Sequence, residues 1–309
     1  MTRFLKNLIL KLVLLLFCIG LFVGGALLYN FNHKIDYPAA IINKYQRLDS
    51  LKNTSKIIIC GGSSSSYSIN SKKLQKELKK PVINTSLAMS LGSKFHLNLT
   101  KEYLNEGDII LYIPEYEYYY GKENGDDFLY TTFFYSPSIF KDFTLTQKKS
   151  SIINAIRLST NFYLGLLKQK NKPSLQYKRA AYNYLGDNIS LEYVNDSKTK
   201  AENINRYEKL KSKKISKEFV TFLKEMNQIC KEKGVKLVIT FPPLEKSQFD
   251  KRFIFDIEKI KKETNLTFID SPLDYLYEAS FFYDSSYHLN GKGRKLRSNK
   301  LIESLKNKI

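Results

Sequence analysis

The apolar positions along this chain change period four times, and each change marks a different kind of element. Leu8 to Tyr29 is almost uninterruptedly apolar, broken only by Lys11, and Leu12 to Leu28 carries no charge. With Lys11 snorkelling, such a stretch is long enough to span a bilayer. A short helix is expected around Ala39 to Leu51. Beyond it, short apolar runs of strand length alternate with helical periodicity. The runs are Ile57 to Cys60, Val82 to Asn84, Asp108 to Pro114, Val235 to Phe241 and Thr267 to Asp270. Between them, helices are expected over Lys72 to Lys79 (capped by Ser71), Ser93 to Asn105, Ser216 to Lys233, Phe253 to Thr264 and Gly291 to Lys306. This alternation predicts an α/β fold with a parallel sheet and helices on both faces.

The middle of the chain breaks the rhythm. Glu115 to Tyr135 is dense in tyrosine, phenylalanine and acids, Leu145 to Lys170 reads as a long amphipathic helix, and Asn171 to Thr199 is irregular and polar. Residues 1–30 are expected to form a cytoplasmic N-terminus and transmembrane anchor. Residues 31–55 form a juxtamembrane linker. Residues 56–309 form the α/β domain, with a cap inserted at about 115–214. Arg3 and Lys6 precede the apolar stretch, so the positive-inside rule puts the N-terminus in the cytoplasm and the domain outside. A cleaved signal peptide is the rival reading.

Charge narrows the class of partner. Lys+Arg number 50 against 30 Asp+Glu, a formal net charge of +20. Solvated, lysine-covered helix faces account for such an excess. Attraction to anionic lipid or to an acidic surface polymer accounts for it as well. Nucleic acid fits less well, because the charge is dispersed and no zinc-finger, RRM or helix-turn-helix pattern is present. Three cysteines without paired spacing argue against a disulfide framework. No HExxH or paired His/Cys spacing points to a metal, and no phosphate loop or GxGxxG points to a nucleotide, so no cofactor is expected.

Chemistry concentrates at two places far apart in sequence. Gly61-Gly62-Ser63-Ser64-Ser65-Ser66 follows the first strand directly, and Asp284-Ser285-Ser286-Tyr287-His288-Leu289-Asn290 precedes the last helix. The two glycines permit a sharp turn that puts Ser63 at the C-terminal edge of the sheet, where open α/β folds carry their sites. Only three histidines exist, His33, His96 and His288. His33 follows the apolar stretch and His96 sits in an expected helix, so His288 is the best placed for acid–base work, with Asp284 four residues earlier to orient its ring. Together they read as a serine nucleophile and its base.

With these motifs the chain resembles the SGNH/GDSL-like hydrolases and acyltransferases. It looks most like a membrane-anchored, surface-facing branch that includes the D-alanyl transfer protein of teichoic acid synthesis. The resemblance rests on Gly61-Gly62-Ser63, Asn84-Thr85-Ser86, and Asp284 to His288 followed by Leu289-Asn290-Gly291-Lys292-Gly293. Pro114-Glu115-Tyr116-Glu117 and Tyr182-Asn183-Tyr184-Leu185-Gly186-Asp187 are similar to relatives as well.

The resemblance implies a flavodoxin-like three-layer sandwich. It makes Ser63 the acyl-accepting nucleophile, His288 the base and Asp284 its orienter. Backbone N–H groups of Ser63 and near Ser86 would serve as oxyanion donors, with Asn84 and Glu115 beside the substrate. It further implies an acyl donor, an envelope glycopolymer acceptor and a membrane-bound O-acyltransferase as partner. Three departures are visible. Ser86 stands where a glycine is usual, Glu115 lies near the place of an oxyanion-donating asparagine, and the Asp–His offset is four rather than three. An offset of three would put Ser285 in the acid's place. These departures keep open a second reading, an inactive anchored scaffold or glycan-binding protein.

Overall fold

A computed structural model describes residues 2–32, 35–167, 174–196, 210 and 213–308. Its first element, α1 (Arg3–Asn32), contains an 18-residue window of mean hydropathy 2.6 with no buried residue, while further along Ala26 packs against Phe134 and Tyr135. It is long and apolar enough to cross a membrane as an anchor, or to act as a signal sequence. α2 (Ala40–Ser50) follows and leads into the first strand.

Five parallel strands form the central sheet: β1 (Ile57–Gly61), β2 (Val82–Asn84), β3 (Ile109–Ile113), β4 (Lys236–Ile239) and β6 (Thr267–Phe268). They lie in the order β2-β1-β3-β4-β6. The register sets Ile59 between Asn84 and Leu111, and Cys60 opposite Tyr112. Alternation sorts the strand residues into two cores. Ile58, Cys60, Ile110, Tyr112, Leu237 and Ile239 enter one, and Ile57, Ile59, Leu111, Ile113 and Val238 the other. Burial on both sides explains why these strands read as continuous apolar runs.

The first core is covered by α2, α5 (Ser93–Asn98), α8 (Lys217–Glu232) and α9 (Arg252–Thr264). The second is covered by α4 (Ser71–Leu78) through Leu74 and by α10 (Gly291–Lys308) through Leu301, Ile302 and Leu305. A two-stranded parallel ribbon, β5 (Leu244–Glu245) with β7 (Leu276–Tyr277), sits beside the main sheet and has no clear trace in the sequence pattern.

Several boundaries differ from expectation. Past the glycines, Ser63–Ser68 form a short helix, α3, that the sequence pattern did not announce. The cap of α4 is Asn70, whose side chain accepts from Lys73 N–H, and not Ser71, whose hydroxyl donates to Asp187 instead. α5 ends at Asn98 rather than Asn105. The Thr100 hydroxyl bonds the Leu97 carbonyl at 2.7 Å, and the chain tightens into a 3₁₀ turn at Lys101–Tyr103. In the middle section, 3₁₀ turns carry Tyr116–Tyr120 and α6 spans Asp127–Phe133. α7 runs Leu145–Leu167, and two further 3₁₀ turns follow at Leu175–Tyr177 and Arg179–Ala181. The expected cap at 168–173, 197–209 and 211–212 lies outside the described residues, as does His33. All three cysteines are free.

Candidate active site

A parallel sheet brings the C-terminal ends of its strands to one edge, and the candidate residues follow from that. Ser63 comes two residues after β1, Ser86 two after β2 and Glu115 two after β3. His288 arrives from the other end of the chain on the loop before α10. That loop is held by its own side chains. The Ser285 hydroxyl accepts from the N–H groups of Tyr287 and His288, both at 3.2 Å. Asn290 donates to the Ser280 carbonyl and accepts from Gly293 N–H, which closes the loop and opens the helix together.

The two distant motifs meet. His288 Nε2 lies 2.9 Å from Ser63 Oγ, and His288 Nδ1 lies 2.8 Å from Asp284 Oδ1. With the carboxylate accepting from Nδ1–H, Nε2 is left as the acceptor for the Ser63 hydroxyl. The offset of four therefore holds: Asp284 meets the ring, while Ser285 serves backbone. Ser63 is partly exposed, whereas Ser64, Ser65 and Ser66 are buried. A hydroxyl on an imidazole that is steadied by a carboxylate can lose its proton as it attacks an electrophile.

Two tyrosines complete the arrangement, and neither was legible in the sequence. Tyr177 donates to Asp284 Oδ2 at 2.7 Å, so both carboxylate oxygens are bound. Desolvation pushes the Asp284 carboxyl up, but hydrogen bonds from His288 and Tyr177 and the imidazole's charge outweigh it and hold it below the usual carboxylate range. Tyr67, from α3, lays its ring against His288 with centroids 4.3 Å apart.

The second and third blocks do something other than expected. Asn84 is a brace, not a substrate donor. Its Nδ2 donates to the Ser65 carbonyl and to Asp187 Oδ1, and its Oδ1 accepts from Ser86 N–H. The Ser86 N–H is thus occupied and does not point to an oxyanion. Glu115 Oε1 accepts from Ser64 N–H at 2.9 Å. Its carboxylate lies directly over Gly62, where an added Cβ would sit 1.8 Å from Oε2. Neither Gly61 nor Gly62 has a positive φ. At Gly62 it is this close approach, not a turn conformation, that demands glycine. Ser63 N–H remains among the first N–H groups of α3, which have no intrahelical acceptor.

Behind these blocks lies a buried polar network. Asp187 accepts from the Ser71 backbone and hydroxyl and from Asn84, and it faces Arg294 at 3.3 Å. Lys44, from α2, is fully buried and donates to the carbonyls of Asn84 and Gly186. Desolvation lowers its ammonium to about 7, opposed by the nearby Asp187 charge. The segment after α1 is therefore tied to the strand end beside Ser63. Among the described residues no cluster of His, Cys, Asp and Glu is placed to hold a metal. A cavity of about 410 Å³ lined by Ile57, Ile109 and Lys236 opens at the opposite, N-terminal ends of the strands, away from Ser63.

No family model matches this chain, and no curated protein matches it. Among solved structures it is similar to a crystal structure of protein YXIM from Bacillus subtilis. The two share 12% identity with a TM-score of 0.39 over 82% of this chain, and the match spans 57% of that protein's chain.

Proposed function

We propose that this protein is a membrane-anchored serine O-acyltransferase or esterase of the SGNH-like kind, facing outward and acting on cell-envelope polysaccharide or teichoic acid. The observation that carries this reading is the unbroken chain Ser63–His288–Asp284, with Ser63 partly exposed at the C-terminal edge of a parallel sheet. The strand order β2-β1-β3-β4-β6 corresponds to the flavodoxin-like order, which supports a three-layer arrangement. In the proposed reaction Ser63 Oγ attacks the carbonyl carbon of an acyl donor while its proton passes to His288 Nε2. The donor's leaving group departs with that proton, and an acyl-serine remains. An acceptor hydroxyl then attacks, losing its proton to His288, and Ser63 is released protonated. Transfer to a sugar or polyol, rather than to water, requires that the acceptor be held and water excluded. A membrane-bound O-acyltransferase is the partner class that would supply the acyl group.

The test is acyl transfer by the full-length chain to envelope glycopolymer fragments. The Ser63→Ala variant should keep the wild-type circular dichroism and lose transfer. Retained activity would remove Ser63 from the mechanism.

Two contacts favour a second reading, an anchored scaffold or glycan-binding protein without chemistry. Glu115 puts a carboxylate where an oxyanion donor is needed, and Ser86 N–H is turned onto Asn84. Glycan binding with no reaction of Ser63 toward a fluorophosphonate would select that reading.

A further inference from the structure

The fully buried residues of α7 are polar, Gln147, Ser151 and Ser159. Leu158, Phe162 and Tyr163 are partly buried against apolar neighbours, while its other large apolar side chains lie outward, among Lys149, Arg157, Thr160 and Asn161. Ile152, Ile153, Ile156, Leu164 and Leu167 are 68, 75, 45, 46 and 82% exposed. α7 also runs antiparallel against α1. Phe162 meets Tyr29 with ring centroids 5.0 Å apart, and one residue later Tyr163 meets Phe22 at 4.8 Å. The Tyr163 hydroxyl donates to the Phe22 carbonyl at 3.1 Å, in a space that the absent side chain of Gly25 leaves open.

Depth follows from helix geometry. Phe22 lies six residues before Leu28, ~9 Å down the axis at 1.5 Å per residue. The hydrocarbon core is ~30 Å thick, so a span ending near Leu28 puts Phe22 well inside its outer half. Leu164 to Leu167 continue in the same direction. Ile19 is partly covered, whereas Phe17 and Leu21 on either side of it are exposed. The exposed leucines at the C-terminal end of α7, Leu164, Leu166 and Leu167, thus lie beside the apolar surface of α1.

We propose that the C-terminal end of α7 is a second membrane element: Leu164, Leu166 and Leu167 enter the outer leaflet beside α1, with acyl chains as their occupant. The inference rests on the reading of α1 as a membrane span. It gives the domain a fixed seat on the bilayer, held at two elements rather than swinging on one. A polymer or acyl donor at the membrane surface is then the class of substrate within reach of Ser63.

The chain contains no tryptophan, which makes the test clean. Single variants Leu164→Trp, Leu167→Trp, Leu14→Trp (in α1) and Lys231→Trp (on α8, exposed) of the full-length protein are placed in phosphatidylglycerol–phosphatidylcholine vesicles, with or without acyl-chain bromination. The expected result is blue-shifted emission, strongly quenched by brominated lipid, from positions 14, 164 and 167, and unquenched emission from 231. Quenching at 14 with none at 164 and 167 overturns the proposal and leaves that face to a protein partner. Absence of quenching at all four overturns the span reading of α1 together with it. Neither outcome bears on Ser63 chemistry, which is assayed separately.

Discussion

Replacing Asp284 by asparagine tests how the site is wired. The substitution keeps the shape of the side chain and an acceptor for His288 Nδ1–H, but removes the charge. When the Ser63 proton moves to Nε2, the ring becomes a cation whose charge centre is ~4 Å from the carboxylate. The Nδ1 to Oδ1 distance is 2.8 Å, and the two side chains are 11% and 21% exposed. At that exposure an effective dielectric near 20 applies, and the attraction is ~4 kcal/mol. Losing it should slow activation of Ser63 by about 10²–10³-fold.

The assay needs no substrate: the second-order rate of fluorophosphonate labelling of the full-length protein reads nucleophile activation directly. Ser285→Ala is the comparison, because the Ser285 hydroxyl meets backbone N–H groups of the loop and not the ring; it should slow labelling less than Asp284→Asn, by about tenfold or under. An Asp284→Asn rate within about threefold of wild type would refute the reasoning, since the carboxylate would then contribute under 1 kcal/mol.

Four further outcomes follow from particular contacts. Tyr177→Phe removes the side-chain hydrogen bond to Asp284 Oδ2, and the labelling rate should fall about 3–10-fold. Gly62→Ala forces the Glu115 carboxylate off Ser64 N–H and should cost about 1–3 kcal/mol in denaturant unfolding; an unchanged midpoint contradicts the contact. His96 is buried with Nε2 on the Ala88 carbonyl, and desolvation lowers it to about 4. The unfolded chain takes up that proton first, so stability should drop by about 3 kcal/mol as pH falls from 6.5 to 4. His96→Gln should flatten this slope in thermal melts. Lys44 has the same sign in a more alkaline window. Its ammonium is lowered to about 7, so the unfolded chain holds the extra proton above that value. Stability should then rise with pH beyond 7, by about 4 kcal/mol at most, and Lys44→Met should abolish the rise.

The strands were readable because burial on both faces leaves Ile57 to Cys60 and Ile109 to Ile113 with no polar alternation to confuse. Ser63, Asp284 and His288 were readable because their residue types are scarce in the right combination and each sits next to a legible element boundary. What the sequence concealed came from tertiary contact. A run of four serines favours a turn, yet it becomes α3 because Glu115 binds Ser64 N–H and the Ser68 hydroxyl binds the Ser64 carbonyl. Tyr177 and Lys44 reach the site from an irregular insertion and a juxtamembrane helix, where no local pattern distinguishes them. Asn84 sits where the family resemblance expects a substrate-facing group. Only the partners Ser65, Asp187 and Ser86 reveal it as a brace.

The central claim is that Ser63 is a nucleophile activated by His288. It is tested most directly by incubating the full-length protein with a fluorophosphonate and mapping the adduct by peptide mass spectrometry. The account predicts one adduct, on Ser63, lost in Ser63→Ala and strongly reduced in His288→Ala. No adduct on a folded protein, or one on another residue that persists in Ser63→Ala, would contradict it.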